Sequence, residues 1–388
     1  MKNFPRHIRI QVILLTIIRW VTATSLRMVY PFLPVFARGL GVSLTTISSA
    51  VGLRSLIGAL SPLLSPIADR YSRRTGMLLG IGVFVLGCTL VFIFPTFPVF
   101  ILALCLNSLG AFVYLSSTQA YIGDTIPYEK RGTVIGVIEL SWSLCFILGV
   151  PAIGMMIGHF GWLSPFPVLA VMGVIVAILL LRILPNEPAA AKGGHKITQH
   201  FKLILKSPNA MIALAMSLAL GFLAEVIYIV FGVWMEDSFG LKIAALGAVS
   251  ALIGFSELLG EALTTTLTDR LGKKRSIVIG ATLHAMVTLS MLLLRKSFTG
   301  AVIGLLLYAV TFEFAFISVI PLMSELVPES RASFMGLYLA CLSLGRSAGA
   351  LLGPILYVWG FQANILAGFA AIALALLALS KIKLPDET

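Results

Sequence analysis

The chain has 388 residues, of which 59% are apolar and only 11% charged, whereas a soluble domain carries about a quarter charged residues. That composition excludes a water-soluble globular protein, because so much apolar sequence needs lipid as its solvent. The formal net charge of +12 would suit a nucleic-acid partner, but the placement of the basic residues, described below, excludes that class too.

Apolar segments long enough to span a bilayer, which takes about 20 helical residues, run from 10 to 37, 43 to 68, 74 to 95, 97 to 122, 132 to 158 and 161 to 184. Six more run from 209 to 234, 243 to 267, 275 to 294, 298 to 322, 333 to 358 and 361 to 381. The expected fold is an all-α membrane protein of twelve transmembrane helices. The first run follows Arg9, is too long for a signal-peptide core and meets no small-residue cleavage site, so it is expected to remain as the first span. Between the sixth and seventh spans, Pro185, Pro188, Gly193-Gly194 and four lysines interrupt the apolar pattern. This reads as a cytoplasmic linker, 185–207, joining an N-terminal bundle, 1–184, to a C-terminal bundle, 208–388.

The two bundles share local sequence. Ser65-Pro66-Ile67-Ala68-Asp69-Arg70-Tyr71-Ser72-Arg73-Arg74 after the second span recurs as Thr265-Thr266-Leu267-Thr268-Asp269-Arg270-Leu271-Gly272-Lys273-Lys274-Arg275 after the eighth. Likewise Asp124-Thr125-Ile126-Pro127-Tyr128-Glu129-Lys130-Arg131 is echoed, one residue shorter, by Glu325-Leu326-Val327-Pro328-Glu329-Ser330-Arg331. A duplicated six-helix unit is the economical explanation. These charged loops resemble those at the same two places in the major facilitator superfamily of transporters, and the resemblance is to its drug and sugar efflux type of proton antiporter. Tyr30-Pro31-Phe32-Leu33-Pro34 and Gly349-Ala350-Leu351-Leu352-Gly353-Pro354 are similar to further landmarks of that family. The fourth span departs from the drug/proton antiporter pattern, with Leu104 to Gly110 where a buried arginine would stand.

The resemblance implies two six-helix halves related by an axis along the membrane normal, with a substrate site at their interface near the midplane. It also implies alternating access, with spans one, four, seven and ten lining the cavity. A monomer that takes a small-molecule substrate and a proton, with no cofactor, is the expected working form. With the N-terminus inside, twenty of the 28 basic residues fall on the cytoplasmic side and only Arg38, Lys242, Arg295 and Lys296 outside. This asymmetry obeys the positive-inside rule and puts both termini in the cytoplasm of a cell bounded by this inner membrane.

A charge at the bilayer centre costs about 2.5 to 3.5 kcal/mol on insertion scales, so each one calls for a partner or a wet cavity. Within the spans lie Arg19, Arg27, Arg54 and Arg346, together with Glu139, Glu225, Glu257, Glu261 and Glu313. Arg27, Glu225 and Glu313 come roughly 25 Å along their helices at about 1.5 Å per residue, a little past the midplane. They are candidates for the substrate cavity, with Arg54 and Arg346 as counter-ions; the alternative is an ion-pair role in stabilising one conformation. Glu225, Glu313, Glu257 and Glu261 are candidates for carrying the coupling proton. The last two share a helix face, where mutual repulsion favours holding a proton; pairing with Arg346 or Arg54 is equally open. Glu139, near the cytoplasmic end of its span, is expected to pair with Arg19.

By resemblance, Asp69, Arg70, Arg73 and Arg131, echoed by Asp269 and Arg270, form a cytoplasmic gate. The alternative is that the arginines only enforce topology. His284 reads as a packed outer-helix residue, the tryptophans as interfacial anchors, and the four cysteines as packing residues without disulfide or zinc spacing. No H-E-x-x-H, G-x-S-x-G or phosphate-binding loop supports an enzyme, and no metal site is expected. The function expected is proton-coupled export of small amphipathic or drug-like solutes. Uptake or flipping of an anionic or zwitterionic substrate, and a non-transporting scaffold or sensor, are the alternatives.

Overall fold

The computed structural model describes residues 4–60, 72–185, 204–327 and 331–382, and at Tyr128, Glu129, Asp269, Lys273, Arg331 and Ala332 it describes the backbone alone. The described residues are helical, without a strand. The first span is split into α1, Arg6–Arg27, and α2, Val29–Leu40. The split has a covalent cause: Pro31 has no N–H to offer the Arg27 carbonyl four residues back, and Pro34 none for Tyr30. Then come α3, Leu44–Ala59, α4, Arg73–Ile93, and α5, Phe97–Thr125. The fifth span comprises α6, Tyr128–Leu144, a π-helical turn, Cys145–Gly149, and α7, Val150–Phe160. It is followed by α8, Pro165–Ile183.

The seventh span repeats the design of the first: α9, Pro208–Val226, gives way at Ile227 to α10, Tyr228–Phe239. Both α2 and α10 are 12 residues long and end on a glycine with φ of 66°, Gly41 and Gly240. Only glycine takes that left-handed conformation without a Cβ penalty. The chain continues through α11, Ile243–Leu271, α12, Lys273–Leu294, α13, Phe298–Leu326, α14, Arg331–Tyr357, and α15, Phe361–Lys381. Ser72, Ser207 and Ser297 start α4, α9 and α13 by accepting the backbone N–H three residues on.

Among the described residues, 11 helices are long and apolar enough to cross a membrane. The second predicted span completes the twelve; its described part is the 16-residue α3, and residues 61–71 lie outside the description. Packing divides the chain into two compact units. One comprises Met1–Ser43, Leu63–Gly193 and Lys242–Gly254; the other comprises Leu44–Pro62, Gly194–Leu241 and Phe255–Thr388. In the second unit α3 meets α14, where a Cβ on Gly52 would stand 3.0 Å from Leu351.

Candidate functional site

In the first unit, Arg27 is the last residue of α1 and only 4% exposed. Its guanidinium carbon lies 3.5 Å from the centre of the Phe146 ring and 4.6 Å from that of Trp142, and Nη1 donates to the Trp142 carbonyl at 3.1 Å. A buried cation is thus held by ring faces and a carbonyl dipole. The π turn arranges these partners, with the Val150 N–H bonding the Cys145 carbonyl five residues back. Pro151, which has no N–H, follows directly. Gly149 lets α1 come close, since a Cβ there would meet Thr24 Cγ2 at 2.8 Å. Two further side chains of α1 hold the same stretch: Trp20 Nε1 donates to the Leu144 carbonyl at 3.2 Å, and Arg19 meets Glu139 at 2.7 Å. The expected pairing of Glu139 with Arg19 is therefore present.

Among the gate candidates, Arg73 Nε pairs with Asp124 Oδ2 at 2.9 Å, joining the start of α4 to the end of α5. Arg131 donates to the Gly123 carbonyl at 2.6 Å and the Ile126 carbonyl at 2.9 Å. It closes the C-terminal end of α5, where a cation complements the helix dipole. Arg74 reaches the Leu184 carbonyl at 3.1 Å. Asp69, Arg70 and the Asp269 side chain lie outside the described residues, and Arg270 is exposed.

In the second unit, Glu225 is the penultimate residue of α9 and 1% exposed; Arg346 Nη1 lies 3.9 Å from its Oε2. Arg346, which the sequence left open to Glu257 or Glu261, thus stands by Glu225. The approach is made possible by a glycine seam. A Cβ on Gly349 would lie 2.8 Å from Glu225 Cβ, while Gly221 and Gly345 lie against the carbonyls of Leu342 and Leu218. Small residues let the backbones of α9 and α14 touch.

Glu257, 1% exposed, receives the Tyr228 hydroxyl at 3.5 Å. Glu313, 8% exposed, sits where α13 crosses α11: a Cβ on Gly260 would be 2.7 Å from Glu313 Cβ, and half-buried Glu261 is the next residue. Along α13, Tyr308, Phe312 and Phe316 stack in succession, with centroids 6.3 and 5.3 Å apart. Arg54 is buried in α3. His284 is packed as expected, its ring 4.4 Å from Tyr308 and its Nδ1 3.0 Å from the Thr311 hydroxyl.

Three tryptophans do more than anchor an interface. Trp142 and Trp20 bond within the fifth-span contact, and Trp234 is stacked on Phe361 at 3.7 Å. Phe146 and Trp142 as partners of Arg27 were not foreseen, although Gly149-Val150-Pro151 marks the place where the fifth span departs from regular helix. Asn364 was also missed. Its amide donates to the carbonyls of Val226 and Gly353, at 2.9 and 2.7 Å, one residue before the break in the seventh span.

The family model described as Major Facilitator Superfamily matches residues 15–350 and 214–388. The chain is 27% identical over 345 residues to the Bacillus subtilis "Uncharacterized MFS-type transporter YwfA", covering 86% of this chain and 82% of that protein. It is 24% identical over 390 residues to "Multidrug resistance protein 2" of Bacillus subtilis, covering 96% and 94%. Among solved structures, the "D-xylose-proton symporter" superposes with a TM-score of 0.79 at 16% identity, covering 98% of this chain and 99% of that one.

Proposed function

Because the chain belongs to the major facilitator superfamily, it is a multi-pass membrane transporter and not an enzyme, and we propose that it exports small amphipathic or drug-like solutes by proton-coupled alternating access. The twelve spans form the two six-helix bundles of that fold. In this reading the bundles are 1–184 and 208–388, joined by the linker 185–207, and both termini are cytoplasmic. The protein works as a monomer in the inner membrane.

The observation that carries the proton coupling is Glu225, a carboxylate 1% exposed within a span. It stands at the C-terminal end of α9, where the helix dipole opposes a negative charge, while Arg346 at 3.9 Å favours it. A carboxylate under two opposed influences can be charged against the arginine in one state of the cycle and protonated in another. Glu313 is the second carrier, with Glu257 and Glu261 in reserve. Arg27 holds a negative group of the substrate, and Arg54 and Arg346 serve as counter-ions. The name of the relative "Multidrug resistance protein 2" supports an amphipathic substrate, as does the aromatic run Tyr308, Phe312 and Phe316.

The gate reading rests on Asp69, Arg70, Arg73 and Arg131, with Asp269 and Arg270 as their repeat. The bond between Arg73 and Asp124 supports a tied cytoplasmic end in the first half. A second reading, uptake or flipping of an anionic or zwitterionic substrate, draws on the buried Arg27 guanidinium. A proteoliposome screen of amphipathic cations, carboxylates and zwitterions, with and without an imposed pH difference, tests the two. Export reading and proton coupling stand if an amphipathic solute moves against its gradient only when the pH difference is imposed in the export sense. Accumulation only in the uptake sense moves the conclusion to the second reading.

A further inference from the structure

We infer that Arg19 and Glu139 form a proton-linked binding site for a carboxylate or other oxyanion: when Glu139 takes up a proton it releases the Arg19 guanidinium, and the anion takes its place there. The inference does not use the roles given to Arg27, Glu225 or Glu313. Both residues lie within spans, Arg19 in α1 and Glu139 about three turns into α6. Three observations carry it. The pair is joined by one hydrogen bond, Nη2 to Oε2 at 2.7 Å, and the buried Nε–H of Arg19 meets no acceptor among the described residues. The two side chains are unequally covered, Arg19 being 15% exposed and Glu139 41%. The stretches that the pair joins are also held without it: Trp20 Nε1 donates to the Leu144 carbonyl at 3.2 Å, and Arg27 Nη1 to the Trp142 carbonyl at 3.1 Å.

A buried ion pair offsets its desolvation only when its remaining donors are satisfied, so this pair is a weak structural link. A guanidinium presents N–H groups side by side to the two oxygens of a carboxylate, and an oxyanion that replaces Glu139 can use donors that Glu139 leaves unmet. Charge decides why a proton must come too. The pair is neutral; an anion added alone would leave a net negative charge in the span, whereas an anion with a proton on Glu139 keeps the site neutral. The half-exposed Glu139 carboxylate is the member that a proton can reach. Arg19 of α1 is the charged group that meets it. The titratable groups of α5 that bond α1, Tyr114 and Tyr121, donate to the Leu15 carbonyl and Gln11 Oε1, and Cys145 of the π turn donates to the Trp142 carbonyl. In the step, the Arg19–Glu139 hydrogen bond breaks, an O–H forms on Glu139 with a proton from water, and a charge-assisted bond forms between Arg19 and the anion.

The test follows Glu139 in the full-length protein in nanodiscs through its rate of modification by a hydrophobic carbodiimide, which reacts with protonated carboxyls, read by peptide mass spectrometry at one fixed pH. Benzoate, acetate and phosphate are each added to saturation, with neutral benzamide as the control. At least one of the three anions should raise the Glu139 rate by about tenfold, the size of one charge-assisted hydrogen bond, and benzamide should not. In Arg19→Gln the rate should be high without anion and unmoved by it, and Arg19→Lys, which keeps the charge but loses the fork, should show a smaller response than wild type. Should Arg19→Gln not fold, Arg19→Met replaces it. Glu139→Gln should melt close to wild type, because the bonds of Trp20 and Arg27 remain. The inference is overturned if none of the three anions raises the rate, if benzamide raises it equally, if the response persists without Arg19, or if Glu139→Gln unfolds the protein.

Discussion

The side-chain amide of Asn364 donates to the carbonyl of Val226 at 2.9 Å, at the point where α9 ends and α10 begins. In the first span the same break arises from Pro31, which withholds an N–H from the Arg27 carbonyl. Here no proline is present, and Asn364 takes the Val226 carbonyl instead, while its second hydrogen goes to the Gly353 carbonyl at 2.7 Å. Two unlike devices thus open the helix directly after Arg27 in one half and one residue after Glu225 in the other. Asn364→Leu should remove both donated bonds and leave the buried Val226 carbonyl, at the helix break, without this donor, at about 1 to 3 kcal/mol. Asn364→Asp, which has the shape but not the donors, should be as harmful. Thermal unfolding in detergent reads this; a melting temperature unchanged by both variants would remove Asn364 as the cause of the break.

Gly349 allows α14 to reach Glu225. A valine there has no room beside Glu225 Cβ at 2.8 Å and the Phe222 carbonyl at 2.8 Å, and overpacking of this kind costs about 1 to 3 kcal/mol. Gly349→Val should lower the melting temperature and abolish transport. Gly136→Ala, at a glycine with nothing within 4 Å, should do neither.

The gate reading predicts that Asp69→Asn leaves the protein folded but shifts it toward inward-open, by about 1.5 to 3 kcal/mol, the size of one charge-assisted hydrogen bond. Asp124→Asn, which removes the partner of Arg73, should act in the same direction. Spin-label distance distributions across the cytoplasmic face measure the shift. Distributions identical to wild type would reduce both residues to topology markers.

The orientation can be checked with a membrane-impermeant thiol reagent on intact cells, in a background without native cysteines. Cysteines at Gly194 and Thr388 should be protected and one at Thr96 labelled. Labelling of Gly194 from outside would invert the whole arrangement.

The spans and the duplication were legible in the sequence because lipid imposes length and apolarity on every crossing segment. The pairing of Arg19 with Glu139 was legible for a related reason, since two opposite charges at similar depth each need a partner. What surrounds Arg27 was not. Two ring faces, Phe146 and Trp142, and a backbone carbonyl are among its neighbours; none of these carries a charge to count, and they are aligned by a π turn that periodicity does not register. Trp142 looked like an interfacial anchor because composition cannot tell a ring facing lipid from a ring facing a cation. Asn364 was equally hidden. A single polar residue in an apolar span is ordinary, and its meaning depends on the carbonyls of Val226 and Gly353 meeting it in space.

The central claim is that a buried carboxylate of the second half couples proton movement to solute export, and paired transport assays on Glu225→Gln and Glu313→Gln in proteoliposomes test it most directly. One assay imposes a pH difference and follows net accumulation of the solute identified by the screen; the other removes the pH difference and follows exchange of labelled for unlabelled solute. At the coupling residue, the glutamine variant should lose accumulation and keep exchange, because the proton step is frozen while the alternation is not. If both single variants still concentrate the solute when only a pH difference is imposed, the proton is carried elsewhere and the account of Glu225 and Glu313 is wrong.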